Sequence, residues 1–176
     1  DYCAAWLKSK GMDAMRGPEN FSQNETCGLL IDGFDRPPFM DMTYNKTFYA
    51  KLFDDYGLKK AQDLYAEILP VTSHDDERDK RLDKLAKRFE KKHNVKLKLL
   101  DMKKFDQEVA LIKDLYNRAW QHNWGAVPMT DAEFDALAKD LKPIVVPELV
   151  LIVEYKGEPI GFSLSIPDLN MALKYN

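Results

Sequence analysis

His122, Glu19 and Glu25 are the side chains of this sequence best suited to moving protons, and Trp120 and Trp124 those best suited to holding a ligand. His122 lies in the run Trp120-Gln121-His122-Asn123-Trp124-Gly125, and an imidazole titrates in the range a general base needs. A histidine in a loop is also what plain solvation produces. Trp120 and Trp124 offer a flat apolar wall to a ligand, or they close a core at a helix end. Glu19 and Glu25 flank the polar stretch that opens with Arg16-Gly17-Pro18 and contains Asn20 and Asn24. They are candidate acid/base carboxylates, although their spacing does not by itself bring them together. No phosphate loop or HExxH run occurs, which excludes those chemistries as motifs. Cys3 and Cys27 have no neighbouring histidine, so no metal site is expected, and each reads as a buried free thiol.

The bulk properties narrow the class. A chain of 176 residues suits one well-cored domain rather than two. With 45% apolar and 31% charged residues, it has the composition of a soluble globular protein. A net charge of -3 argues against a broad nucleic-acid surface. No stretch approaches the roughly 18 apolar residues of a membrane span. Asn20, Asn24 and Asn45 begin Asn-x-Ser/Thr sequons, but no signal peptide accompanies them, and the expected compartment is the cytoplasm. The sequence opens without Met on DYCAAWLKSKG and closes on PDLNMALKYN. Both ends read as cut, as in a piece of a longer protein.

Periodicity supplies the elements that must position these residues. Residues 2–10 are amphipathic and helical, stopping at Gly11, and Met12–Arg16 fits a short strand. The following stretch to Asn45 is rich in Gly, Pro and Asn and too punctuated for regular elements. Asn45 is placed to cap a helix. Phe48, Tyr49, Leu52, Phe53 and Tyr56 form its apolar stripe, Gly57 ends it, and the run from Leu58 through Leu64–Leu69 fits a strand.

Residues 73–93 form a charged helix with Ser73 or Asp75 as its cap. Its narrow stripe of Leu82, Leu85, Ala86 and Phe89 is expected to pack one edge. Acids alternate with bases along it, the pattern of a solvated face rather than a nucleic-acid face. From Val95 the pattern starts afresh. A half-buried strand over Val95–Leu100 is followed by a helix capped by Asp101 that runs to Trp120. A second helix opens at Thr130 with Glu133 in a capping box and runs to Leu141. Two strands, Leu149–Tyr155 and Pro159–Ile166, then meet at a tight turn around Gly157.

Two parts of this pattern resemble the GNAT acyl-CoA N-acyltransferase superfamily. NKTFYAKLFDDYGLKKAQDLYAEIL resembles the acyl-CoA-binding end of such a domain. KLKLLDMKKFDQEVALIKDLYNRAW, NWGAVPMTDAEFDALAKDL and ELVLIVEYKGEPIGFSLSIPD resemble its opening half, with VEYKGEPIGF as the hairpin. The closing half thus precedes the opening half, most like the bacterial tandem GNAT-like proteins of unassigned function. The expected fold is α/β in the α+β sense, a mixed and mostly antiparallel sheet flanked by helices. The expected organisation is 1–72 as the closing half of one unit, 73–94 as a linker helix and 95–176 as the opening half of a second unit.

The resemblance implies an N-acyltransferase that uses acyl-CoA or acetyl-CoA as co-substrate, takes an amine as acceptor and needs no metal. A non-catalytic GNAT-like ligand-binding or protein-interaction domain is the alternative. The family's proton donor to the leaving thiolate aligns with Phe53, which has no proton to give. Tyr49 and Tyr56, one turn to either side, are the implied substitutes, with His122 as base. Asn45 and Tyr49 would contact the acyl-CoA, and Trp120, Asn123 and Trp124 the acceptor. The family's Gly-rich pyrophosphate loop does not occur in these 176 residues. A truncated sheet would leave an exposed edge, which favours pairing with another chain as a homodimer.

Overall fold

A computed structural model describes residues 2–69 and 76–174. The elements in chain order are α1 Tyr2–Ser9, α2 Tyr49–Tyr56, α3 Asp76–His93, β1 Val95–Leu99, α4 Phe105–Trp120, α5 Asp131–Leu141, β2 Val150–Tyr155, β3 Glu158–Leu164 and α6 Leu169–Lys174. Short 3-10 turns at Met102–Lys104 and Pro147–Leu149 precede α4 and β2. The fold is α+β, with helices beside a three-stranded antiparallel sheet of order β1-β2-β3. The described residues divide into two compact units. One comprises the chain up to Ala66, Gly125–Val127 and the segment from Asp168. The other takes Glu67 to Trp124 and Pro128–Pro167.

The second unit carries the sheet. β1 pairs with β2 from Val95↔Tyr155 to Leu99↔Leu151, and β2 with β3 from Val150↔Leu164 to Tyr155↔Glu158, with a bulge at Val153/Glu154. Lys156 and Gly157 both have positive φ, at 53° and 87°. Two consecutive left-handed residues make the turn whose twist matches the strands it joins. Val150 and Ile152 on the central strand are fully buried, and Leu100, Leu115, Met129 and Phe134 complete the core. α4 packs against β3. Asp101 accepts from the Lys103 N–H at 3.0 Å, capping the 3-10 turn that leads into α4. Thr130 and Glu133 close the expected capping box at α5, and the bonds from Thr130 hold the exposed Glu133 carboxyl below its ordinary range.

Between α4 and α5 the chain is irregular, and one side chain replaces a ladder there. Asn117 Oδ1 accepts from the Met129 N–H at 3.0 Å, and its Nδ2 donates to the Met129 carbonyl at 3.1 Å. Met129 is buried, so truncating Asn117 orphans two backbone groups away from water. Asn117→Ala is expected to lower the stability of this unit by about 2 kcal/mol, read as a lower urea midpoint at an unchanged slope.

Several sequence expectations fail for physical reasons. β1 forms a strand over Val95–Leu99, one residue shorter than expected, and its covered side includes Lys98. Lys98 turns toward α4 and bonds Glu108, while Leu97 and Leu99 are exposed. The register puts Leu151 and Val153 opposite them on the same open face. Leu82, Leu85 and Phe89 of α3 are exposed rather than packed, and the Ser73 or Asp75 cap falls outside the described residues.

Met12–Arg16 in the first unit and Leu58–Leu69, which runs past its end at Ala66, form no strand. A strand needs a neighbour for its N–H and C=O groups, and among the described residues this unit has only an isolated Glu19↔Cys27 bridge. α2 begins at Tyr49 with Phe48 at the cap position and no side-chain cap bond, so Asn45 is not its cap. Cys3 is exposed and Cys27 only half-buried, against the expectation of two buried thiols. α6 has no counterpart among the sequence expectations; its Asn170 donates to the Pro38 carbonyl at 2.7 Å.

Candidate active site

The site residues read from the sequence fall into one set in each unit. In the first unit, Tyr49 and Tyr56 are the end residues of α2. Seven residues at 1.5 Å each put them about 10 Å apart along the axis, and two turns put them on one face. Leu52 and Phe53 share that face. Tyr49, Leu52 and Tyr56 are exposed and Phe53 is half-buried, so both phenols reach the surface. The Tyr49 ring meets Phe48 edge-on at 5.1 Å. Lys51 and Asp55 pair at 2.7 Å on another side of the helix.

Gly57 ends α2 at φ 94°, where its N–H reaches Asp54 O at 2.9 Å and the Leu58 N–H reaches Phe53 O at 3.1 Å. A left-handed residue there satisfies the last helix carbonyls, and glycine adopts that conformation without a Cβ clash.

Asn45 braces the approach to α2. Its Oδ1 accepts from the Leu30 N–H at 2.7 Å, and its Nδ2 donates to Leu30 O at 3.2 Å and to Lys46 O at 3.0 Å. This is the same device as Asn117 on Met129, and it fastens the long 17–44 loop to the entry of α2.

A second polar cluster lies in the 16–28 loop. Arg16 Nε and Glu19 Oε1 are 2.8 Å apart. The Asn20 N–H donates to Thr26 O at 3.1 Å and the Gly28 N–H to Pro18 O at 2.8 Å. Ser22 is buried, and its hydroxyl accepts from the Asn24 N–H at 3.1 Å. Arg16 Nη2 donates to Gly125 O at 3.4 Å, and Asn24 Nδ2 to Val127 O at 2.8 Å. Glu19 is therefore tied into an ion pair, while Glu25 is exposed. Burial, then the Glu19 charge, push the Cys27 thiol up, with Arg16 opposing.

In the second unit, Trp120, His122, Asn123 and Trp124 share the turn that ends α4. The Gln121 N–H donates to Asn117 O at 3.2 Å and the Asn123 N–H to Trp120 O at 2.8 Å. Trp120 stacks on Tyr116 at 5.6 Å, and Tyr116 sits 6.1 Å from Phe134. His122 and Asn123 are exposed. One face of Trp120 rests on the half-buried Tyr116 ring, and about half of each tryptophan is exposed. Burial alone pushes the Tyr116 phenol up, so it stays neutral. Among the described residues no group of three His, Cys, Asp or Glu could hold a metal ion, and no helix is long and apolar enough to cross a membrane.

No family model matches the chain, and no solved structure does. Two curated relatives match almost all of it. Protein YghO of Escherichia coli (strain K12) is 35% identical over 169 residues, covering 96% of this chain and 42% of that protein. Bacterial ceramide synthase of Caulobacter vibrioides (strain NA1000 / CB15N) is 37% identical over 171 residues, covering 96% of this chain and 43% of that protein. The chain spans little more than two fifths of the length of these relatives.

Proposed function

We propose that this chain is part of an acyl-CoA-dependent N-acyltransferase whose acceptor is a long-chain amino alcohol. The carrying observation is the 37% identity to bacterial ceramide synthase across both units and α3. A ceramide is the amide of a fatty acid with a long-chain amino alcohol, so making one from the free amine forms an N-acyl bond. In the proposed reaction the amine attacks the thioester carbonyl, a base takes one amine proton, and the intermediate expels CoA thiolate, which is protonated. One amide and one CoA thiol result.

Each unit by itself supplies one role: in the second unit His122 is the proposed base, and in the first Tyr49 or Tyr56 is the proposed donor to a leaving thiolate. Trp120 and Trp124 would flank the acceptor with Asn123. Tyr49 would touch the acyl-CoA, and Asn45 would hold the loop beside it. Proximity of thioester and amine supplies much of the rate in such a transfer. In this reading 1–72 closes one GNAT-like unit, 73–94 links, and 95–176 opens the next, with the pyrophosphate cradle supplied by polypeptide outside this sequence. The reading includes a cytoplasmic location and pairing of two copies through the open edge of β1 or β3.

The test uses the full-length protein with a long-chain acyl-CoA and a long-chain amino alcohol. Mass spectrometry should find the amide, and a thiol reagent should find an equal amount of free CoA. The absence of both amide formation and acyl-CoA binding in calorimetry would overturn the proposal. Phe53 in place of a proton donor favours a second reading, a GNAT-like module that binds its ligand without catalysis. Binding without turnover is its signature.

A further inference from the structure

We propose that the C-terminal half of α3 docks on an anionic phospholipid bilayer. Leu82, Leu85, Ala86 and Phe89 stand at i, i+3, i+4 and i+7, one continuous stripe. Leu82 is 52% exposed, Leu85 63% and Phe89 55%, so none of the described residues covers the stripe. The His93 ring lies beside Phe89, tilted at 37° with centroids 4.5 Å apart.

Basic charge collects in the same half of the helix. From Lys84 to Lys92 five bases, Lys84, Lys87, Arg88, Lys91 and Lys92, stand against the single acid Glu90, in a chain whose net charge is -3. At 3.6 residues per turn Arg81, Arg88 and Lys92 fall along one margin of the stripe. The other margin carries Asp79, Asp83 and Glu90, of which Asp83 is held by Lys87 at 2.6 Å. A largely polar helix with Leu and Phe on one side and Lys and Arg beside them lies in a bilayer interface, rolled toward its basic margin. A nucleic acid would use the bases but leave Leu85 and Phe89 in water. A bilayer takes both. The inference rests on α3 alone and holds whether or not the protein transfers acyl groups.

The experiment is co-sedimentation of the full-length protein with vesicles of phosphatidylcholine, with and without phosphatidylglycerol. The protein should partition at least about tenfold more onto the anionic vesicles, and raised salt should release it. Leu85→Glu with Phe89→Glu should abolish binding. Arg81→Gln with Arg88→Gln and Lys92→Gln should bring it down to the phosphatidylcholine level. Circular dichroism should show these variants as helical as the parent, because the changed residues are exposed. In the unmodified protein, amide exchange over residues 82–92 should slow on anionic vesicles. Any one of four results overturns the proposal: equal partition onto both vesicles, no slowing of exchange, full binding by the Leu85/Phe89 variant, or retention of a DNA duplex as tight as that of the anionic vesicles.

Discussion

Lys98→Met is expected to destabilise the second unit by about 2 kcal/mol, the cost of leaving the buried Glu108 without the partly exposed lysine that pairs with it. Lys98 Nζ lies 2.6 Å from Glu108 Oε1. Glu108 is buried, and its Oε2 has no hydrogen-bond partner among the described residues. Lys98 is therefore the principal compensation for a carboxylate taken out of water. Methionine keeps much of the lysine's length and apolar stem, so the loss isolates the charge rather than the packing.

The double variant Lys98→Met with Glu108→Leu removes both charges and should regain most of the stability, because an apolar pair of similar volume often replaces a buried ion pair at little cost. Urea unfolding of the parent, both single variants and the double variant gives the coupling directly. A double variant as unstable as Lys98→Met alone would mean that the lysine matters for another reason.

That ion pair also marks the limit of what the sequence discloses. The alternation Val95-Lys96-Leu97-Lys98-Leu99 signals a strand, and the structure forms one. Period two identifies the two faces but not which is inward. Glu108, ten residues along the chain on α4, decides that by drawing Lys98 to the covered side. Where a signal is local it is legible. The box between Thr130 and Glu133, the Gly157 turn and the Gly57 stop each depend on residues within one turn of the chain, and each forms. Asn45 is legible as a residue that bonds free backbone, but its partner is Leu30, fifteen residues back, where no local rule points. The strands expected at Met12–Arg16 and Leu58–Leu69 fail similarly, since a strand is a property of a pair. At the candidate site, the aromatic and histidine content of the Trp120–Trp124 turn is readable in sequence. Its exposure depends on how Tyr116 and Phe134 pack beneath it.

The most consequential functional prediction concerns α2. If this helix supplies the proton to the leaving thiolate, either Tyr49→Phe or Tyr56→Phe in the full-length protein lowers kcat by about 10²-fold or more, the usual contribution of a positioned general acid. KM for the acyl-CoA should change little, since phenylalanine keeps the ring and removes only the hydroxyl. The two phenols sit two turns apart on one face with Phe53 between them, so only one of them can be nearest the sulfur. The other variant should therefore be near parental, which separates a chemical role from a general disturbance of the helix. Phe53→Tyr adds a decisive arm. In the impaired background it places a hydroxyl one turn away, where the family resemblance puts the donor, and should restore at least about tenfold of the lost rate. A chemical step with an easier leaving group, such as an aryl thioester, needs less protonation and should be slowed less by the same tyrosine loss. If both phenylalanine variants and their combination turn over at the parental rate, α2 provides no acid, and the thiolate must be protonated by solvent or by a group outside this helix.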